Sequence, residues 1–231
     1  MIEFRAKESL GAANYGWLNT RYHFSFSSYY DPMRVNWGQL RVWNNDIIQP
    51  KTGFPTHPHN NMEIITYVYE GAIIHTDSMG NQGRTEAGDV QVMSAGRGVT
   101  HSEYNLEEKE TRLFQIWIIP DKQVDKPSWG TKRFPKAEKT GRFSVLASGH
   151  ACDKNALSIQ AQARVLAMTL LVGQTVEYHL ANKKAYIVAA RGKYQVNGQV
   201  AFAGDGLAIE DEEMLHFSAL EASEIVMVEL G

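Results

Sequence analysis

Short apolar runs separated by turn residues make up most of the chain from residue 40 onward. Valine, isoleucine, tyrosine and phenylalanine are frequent in these runs, and no long stretch repeats its apolar residues with the 3.6-residue period of a helix. This pattern is typical of a β-sandwich or β-barrel. It predicts strands at residues 40–43, 64–69, 72–76, 90–93 and 113–119, and again at 143–146, 165–171, 176–180, 185–190, 194–196, 200–203 and 224–230.

Two turn signals indicate where neighbouring strands reverse. Residues 77–81 place Gly80 and Asn81 between two predicted strands, which favours a turn. Asn197 and Gly198 lie between apolar runs, and an Asn-Gly pair in that setting predicts a two-residue hairpin. The series of strands therefore occurs twice, and we expect two similar all-β domains.

A charged segment at residues 120–135 separates the two series and carries three of the seven prolines. It predicts a crossing between domains, with room for a short helical turn. We therefore expect an N-terminal domain at 1–120, a crossing at 121–135 and a C-terminal domain at 136–231. Residues 11–38 are rich in Gly, Asn, Tyr, Trp and Ser, and they predict an irregular arm whose aromatic side chains pack against the sheet.

Composition narrows the classes of function. The 231 residues are 43% hydrophobic and 21% charged, as in ordinary soluble globular proteins. A formal net charge of −3 argues against a basic surface, so direct binding of nucleic acid is not expected. No apolar stretch is long enough to span a bilayer, and we expect a cytoplasmic protein without a membrane contact. Cys152 is the single cysteine, so no internal disulfide is possible.

Four residues of the N-terminal half have the side chains and spacing of a metal site. Side chains alternate along a strand, so His57 and His59 point the same way, about 6.5 Å apart. His101 and Glu103 repeat this spacing after a later glycine-rich turn. A lone His-x-His pair is often a packing feature, but two pairs with matching alternation favour a shared ion. If the two segments face each other, they bring three imidazoles and one carboxylate together.

This donor set suits one divalent transition metal, with iron, zinc, nickel, copper and manganese as candidates. Positions left open on the ion would take water or substrate. Calcium and magnesium prefer oxygen ligands, so the set is a poor site for either.

The same segments resemble the two signature motifs of the cupin superfamily. They read GFPTHPHNNMEIITYVYEG at 53–71 and GRGVTHSEYN at 96–105. Further blocks resemble the pirin family in sequence and in order: HFSFSSYYDP at 23–32, LRVWNNDII at 40–48, HTDSMGN at 75–81 and SAGRGVTHSEYN at 94–105. The blocks cover roughly the first half of the chain, and the second half resembles pirins only loosely.

The resemblance is greatest to bacterial pirin-like proteins, some of which are described as quercetin dioxygenases. It implies an all-β bicupin, in which two β-barrel or jelly-roll domains contain little helix. It also implies a metal ion, Fe(II) in the first instance, held by His57, His59, His101 and Glu103. The implied reaction opens the ring of a flavonol such as quercetin with O2 and releases carbon monoxide. A carboxylate beside the ion can take the substrate proton, so Glu103 is the expected catalytic base.

Glu63 is a second candidate carboxylate, because many cupins carry a ligating glutamate at this place in the motif. We favour Glu103, whose position beside His101 follows from strand alternation. Glu63 is then expected behind the ligands, where it would orient an imidazole or pair with a cation such as Arg41.

The C-terminal half does not repeat the His-x-His pair. His179 stands alone, and His216 has no acidic residue two positions away. Two imidazoles bind a metal weakly, so we expect a packed or empty pocket in this half.

Three classes of function are compatible with these features. The first is a metal-dependent dioxygenase acting on a small aromatic, flavonol-like substrate with O2; Phe54, Tyr67, Phe114 and Trp117 are candidates for its cavity wall or for core packing. The second, also implied by the resemblance, is a metal- or redox-responsive protein that regulates a protein partner without turnover. The third is a non-redox cupin, such as a sugar isomerase or a small-molecule binder. It is disfavoured because an isomerase of phosphorylated sugars needs clustered Arg or Lys, and Arg97 is the single Arg or Lys in the two motifs.

Overall fold

The computed structural model describes residues 1–122, 126–134, 139–182 and 184–231. Within these ranges the chain forms strands, turns and a short 3₁₀ helix at Lys7–Ser9, with no α-helix. The predicted all-β class is confirmed. None of the described segments forms a helix with the length and hydrophobicity needed to cross a bilayer.

Every strand predicted in the first half is present, and most extend beyond the predicted bounds by one or more residues. The strands are β1 Ile2–Arg5, β2 Gly11–Asn14, β3 Leu18–Tyr22, β4 Leu40–Ile48, β5 Thr52–His59, β6 Glu63–Glu70, β7 Ala72–Asp77, β8 Gln82–Glu86, β9 Val90–Ser94, β10 Val99–Asn105, β11 Thr111–Ile118 and β12 Ser128–Lys132.

The second half repeats this pattern. Its strands are β13 Ser144–Ser148, β14 Leu157–Ser158, β15 Ala163–Leu170, β16 Thr175–His179, β17 Lys184–Arg191, β18 Lys193–Val196, β19 Gln199–Phe202, β20 Gly206–Glu210, β21 Met214–Ala219 and β22 Ser223–Leu230. The predicted hairpin joins β18 to β19, where Asn197 and Gly198 have φ values of 45° and 88°. Two consecutive positive φ values are the reason for the Asn-Gly pair.

The chain divides into two compact units. The N-terminal unit comprises Gly11–Phe134 and Leu157–Ala161. The C-terminal unit comprises Met1–Leu10, Pro135–Ala156 and Gln162–Gly231. The first ten residues thus group with the C-terminal half, whereas the predicted bounds placed them in the first domain. The predicted crossing at 121–135 lies partly outside the described residues, and its bounds stay a prediction.

The N-terminal unit consists of two antiparallel sheets. Seven strands run in the order β12-β9-β6-β11-β4-β3-β2, and four run in the order β5-β10-β7-β8. Two clusters of buried apolar residues lie within this unit, one around Ile48 and Leu113 and the other around Ile64 and Met93. Partly buried aromatic rings pack against both clusters.

The expected irregular arm is wrong for its first part, because β2 and β3 belong to the seven-stranded sheet. β3 pairs with both β2 and β4. Leu18, Thr20 and Tyr22 are buried while Asn19 and Arg21 are exposed, so this strand does alternate. Its inward face mixes apolar and polar residues, which hides the alternation from a hydrophobicity pattern.

The C-terminal unit has an unbroken apolar interior. One cluster of buried residues joins strands β15, β17, β20, β21 and β22, and the partly buried side chains of Val176 and Tyr178 pack against it. β1 forms the edge next to β20, with Ile2 opposite Ile209. A strand from the start of the chain therefore completes a sheet built from its end.

Candidate metal centre

Three histidines meet at the inner face of the four-stranded sheet in the N-terminal unit. β5 and β10 run antiparallel, with His101 opposite His57 and Val99 opposite His59. Gly53 permits this close pairing, because a Cβ atom there would collide with the Glu103 carbonyl oxygen. Ring nitrogens of His57, His59 and His101 lie within 4.8 Å of one another. The structure therefore brings together three of the four predicted ligands.

Hydrogen bonds behind the rings determine which nitrogens face each other. His57 Nδ1 lies 2.7 Å from the Pro55 carbonyl oxygen, which can only accept, so Nδ1 carries the proton. The Nε2 lone pair of His57 is then directed at His101 Nε2, 3.1 Å away.

A second chain of contacts sets the tautomer of His101. Its Nδ1 lies 3.3 Å from His75 Nδ1, and His75 Nε2 lies 3.1 Å from Asp77 Oδ2. Burial lowers the pKa of His75, so its ring is neutral. Burial alone would raise the pKa of Asp77, but hydrogen bonds from Asn81, His75 and the backbone outweigh it and lower the pKa. His75 therefore donates from Nε2 to the carboxylate and accepts at Nδ1 from His101.

These tautomers leave two unprotonated Nε2 atoms, on His57 and His101, facing each other at 3.1 Å. Two facing lone pairs repel unless a cation lies between them. Two nitrogen ligands about 2.1 Å from one ion and about 90° apart are separated by about 3.0 Å, which matches this geometry. The arrangement therefore fits a transition metal ion.

The protonation states of the other imidazoles agree with this fit. Burial, together with a smaller effect of the nearby His57, lowers the pKa of His59 to about 4. Burial also lowers the pKa of His101 to about 3, together with the charges of His57 and His59. Neutral imidazoles are the form that coordinates metals.

Glu103 lies beside this cluster, and its carboxylate is held by the seven-stranded sheet. Gln91 Nε2 donates to Oε1 at 2.5 Å, and Gln115 Nε2 donates to Oε2 at 2.6 Å. The Thr66 hydroxyl also donates to Oε1, at 3.2 Å. A carboxylate oxygen of Glu103 lies within 4.8 Å of nitrogens of His75 and His101, but Glu103 is not part of the three-imidazole group. Its direct ligation stays a prediction.

Burial raises the pKa of Glu103 to about 7, although the hydrogen bonds from Gln115, Thr66 and Gln91 oppose this rise. The side chain is only 3% exposed, yet it forms part of a cavity wall. A carboxyl group with this setting can exchange a proton with a ligand in the cavity.

Glu63 lies on the opposite face of its strand. Along β6, Ile64 and Thr66 face the cavity and the Glu103 carboxylate, so Glu63 points to the other side of the sheet. There its Oε2 accepts from the Ser94 hydroxyl at 2.5 Å, and burial raises its pKa. The suggested partner Arg41 instead donates to the carbonyl oxygens of Ser25 and Val35. The expected contact of Glu63 with an imidazole or with Arg41 is not made.

A cavity of about 440 Å³ opens in front of the imidazoles, and six aromatic residues contribute to its wall. Phe54 and Trp117 contribute to its wall as predicted. Tyr67 and Phe114 do not, because they lie fully buried on the other face of β6 and β11 and pack against each other. The remaining aromatic lining comes from the start of the unit, namely Tyr15, Trp17, Tyr22 and Phe26.

Known protein families and a solved structure match the chain along nearly its whole length. A family model described as Pirin matches residues 3–118. The chain belongs to the pirin family. A second model, described as the quercetinase C-terminal cupin domain, matches residues 145–230 of this pirin. The predicted pirin resemblance and the two-cupin fold are thereby confirmed.

Relatives of this pirin cover its whole length. A Pseudomonas aeruginosa protein, whose name provisionally assigns it quercetin 2,3-dioxygenase activity, is 62% identical over 100% of both chains. The quercetin 2,3-dioxygenase of Escherichia coli K12 is 40% identical over 100% of this chain and 99% of its own. The bacterial pirin YhhW of Escherichia coli, solved in complex with nickel(II), has a TM-score of 0.93 at 37% identity, covering 100% of this chain and 99% of that chain.

Sequence reasoning missed the side chains that anchor Glu103 and His101 in this pirin. Thr66, Gln91 and Gln115 are polar residues inside otherwise apolar strands, and all three are buried. A buried polar side chain needs a partner, so single polar residues in apolar runs were the available signal. His75 gave the same signal at the end of the run that begins at Ala72.

Proposed function

We propose that this pirin is a metal-dependent dioxygenase that cleaves a flavonol such as quercetin with O2. The observation that carries the proposal is the meeting of three imidazoles at the wall of a cavity that six aromatic residues help to line. A flat polyphenol can lie against such walls, while the imidazoles hold a metal at one side. The names of the relatives support the same substrate and O2 as co-substrate.

The ion proposed is one divalent transition metal, with Fe(II) first and zinc, nickel, copper and manganese as alternatives. His57, His59 and His101 would hold it through nitrogen, and Glu103 is the proposed carboxylate ligand. Nickel(II) in the Escherichia coli pirin shows that a related protein accepts such an ion. When bound, the ion supplies a site where an enolate oxygen and O2 can be activated together.

The chain contributes proton transfer and orientation. Glu103 faces the cavity and is the proposed base that takes the enol proton of the substrate. Gln91 and Gln115 hold its two oxygens, so the carboxylate is positioned before substrate arrives. Phe54, Trp117 and the other rings exclude water and restrict the substrate to one plane.

Oxygen uptake with a flavonol panel tests the proposal. Protein purified without added ions is first analysed for its metals, then reloaded with each candidate ion. We expect oxygen consumption to match quercetin loss, to require metal and to be accompanied by release of carbon monoxide.

A metal-loaded protein that binds quercetin but consumes no oxygen with any candidate ion would contradict the enzyme. That outcome would favour the second class, a metal-responsive binding protein acting on a protein partner. The control is metal-free protein under the same conditions, which accounts for spontaneous oxidation of quercetin.

A further inference from the structure

A polar group of residues interrupts the aromatic cavity on the wall formed by β3 and β4. We call it the polar wall; its members are Thr20, Asn44 and Asp46, which all line the cavity. Thr20 lies directly opposite Asp46 in the strand pairing, and Asn44 is two residues from Asp46. These relations place the three side chains on one face of the sheet. The imidazoles lie on the other sheet, on β5 and β10.

The polar wall is buried, and one acceptor atom each of Asp46 and Asn44 has no partner. Asp46 is 2% exposed and Asn44 is 5% exposed. Asp46 Oδ1 and Asn44 Oδ1 have no hydrogen-bond partner among the described residues. Burying an unsatisfied polar atom costs about 1–3 kcal/mol, so such atoms call for an explanation.

The metal site does not supply that explanation. The Glu103 carboxylate has three protein donors of its own, and the Nε2 atoms of His57 and His101 face each other. Six aromatic residues line the same cavity, so a ligand that reaches the polar wall also lies against apolar rings. Unused acceptors in an apolar cavity match a ligand that brings its own donors.

We propose that the polar wall binds hydroxyl groups on the part of a polyhydroxylated aromatic ligand that does not meet the metal. This inference rests on the proposed function and deepens it, because it makes Asp46 and Asn44 determinants of substrate specificity. A hydroxyl can donate to an ionised carboxyl group or accept from a protonated one. Burial raises the pKa of Asp46 to about 7, with the Thr20 hydroxyl opposing and Glu103 adding to the rise, so both forms occur near neutral pH.

A hydroxyl is also favoured over a positively charged group. The same cavity holds the imidazole cluster and its proposed cation, and a second cation in an apolar cavity would be repelled. The substrate class is therefore a flat neutral polyphenol with hydroxyl groups on more than one ring. A site built to hydrogen-bond a hydroxyl discriminates strongly against an analogue that lacks it.

Two flavonols test this inference: quercetin, and 3-hydroxyflavone, which retains only the hydroxyl and ketone that would meet the metal. Their affinities for the metal-loaded protein are measured without oxygen, from quenching of tryptophan fluorescence, since Trp17 and Trp117 line the cavity. We expect the wild-type protein to bind quercetin roughly tenfold to a hundredfold more tightly. Asp46→Asn and Asn44→Ala should each reduce that ratio, mainly by weakening quercetin. The surface variant Glu86→Gln, outside the cavity, should keep it.

The outcomes separate this inference from the proposed function. Equal affinities for the two flavonols in the wild type, or an unchanged ratio in both variants, would overturn the polar wall while leaving oxygen-dependent cleavage standing. Failure of both flavonols to bind the wild-type protein would overturn the inference and the proposed function together. Metal content, measured in each variant, shows whether a changed ratio arises at the polar wall or from a lost ion.

Discussion

The two units use the same strand order but place their histidines on opposite faces of the smaller sheet. In the N-terminal unit, β5 pairs with β10, and His57 lies opposite His101. In the C-terminal unit, β16 and β21 occupy the corresponding places, and Glu177 lies opposite His216. There His216 is exposed and bonded to Glu177 at 3.2 Å, whereas His101 is 2% exposed.

Because the histidines lie on different faces, the interior of the C-terminal unit is packed with apolar residues and that of the N-terminal unit keeps a cavity. Val176, Tyr178, Leu215 and Phe217 alternate with the polar residues of β16 and β21, and they contribute to the apolar cluster of the C-terminal unit. In the N-terminal unit the inward positions carry imidazoles and a carboxylate, and a cavity remains. A shift of one residue along a strand exchanges its two faces. Similar residue types therefore make a candidate site in one unit and a solvated surface in the other.

Removing a histidine from each unit gives the largest expected effect. His101→Ala should abolish metal binding, because it removes one of three clustered imidazoles and leaves too few ligands. His216→Ala, its counterpart on β21, should leave the metal content at about one ion per chain. Elemental analysis after dialysis measures both, and equal metal loss in the two variants would show that the comparison is wrong.

We expect substitutions of the two glutamates to differ in their effect, because Glu103 faces the cavity and Glu63 does not. Glu103→Gln should lower turnover about a hundredfold or more, because the cavity loses its proposed base. Glu63→Gln should retain metal and most of the activity, since Glu63 contacts Ser94 on the other face of β6. Steady-state oxygen uptake and metal analysis distinguish them. A larger loss for Glu63→Gln would reverse the assignment.

We expect His75 to affect metal affinity by orienting His101, and not by ligating the ion itself. His75→Phe keeps a ring to stack on Trp129, 4.9 Å away and nearly parallel, but removes the acceptor for His101 Nδ1. We expect metal affinity to fall about tenfold to a hundredfold. Competition with a chelating dye measures it.

The matched control is Gln195→Ala, which changes the residue opposite Ser218 on β21, as His75 lies opposite Glu103 on β10. An unchanged dissociation constant for His75→Phe would show that the His75 contact does not orient the ligand. An equal fall for Gln195→Ala would point to a general loss of folding instead.

The smallest expected effect is on stability. Burial, opposed by the Thr20 hydroxyl and aided by the Glu103 carboxyl group, raises the pKa of Asp46 from 3.8 to about 7. Between these values the folded protein keeps a proton that the unfolded chain has released, so its stability falls as pH rises. Asp46→Asn should remove this loss and stabilise metal-free protein at pH 8, but not at pH 4. Chemical unfolding at pH 4 and pH 8 measures the change in the free energy of unfolding. Equal changes at the two pH values would show that the buried Asp46 carboxyl group does not cause the pH dependence.

The sequence predicted most strands and three of the proposed ligands because both depend on local spacing. Apolar runs mark strands, and the period of two places His57 beside His59. Partners across the barrel are set by pairing between distant segments, as Gln91 and Gln115 are with Glu103, and spacing along one strand carries no information about them. The misassigned Tyr67 and Phe114 show that an aromatic residue is identifiable locally, while the face it occupies depends on the register of the whole sheet.

The strand β1 has a consequence for how the protein is made. Ile2 is paired with Ile209, so β1 leaves the ribosome about two hundred residues before its partner strand is made. Pairing at such sequence separation is slow, because a long loop must close first. Meanwhile β20 offers an unpaired edge, and unpaired edges invite association with other chains. A fragment starting at residue 136 would keep that edge permanently, so the C-terminal cupin should be prone to aggregate when it is produced without residues 1–10.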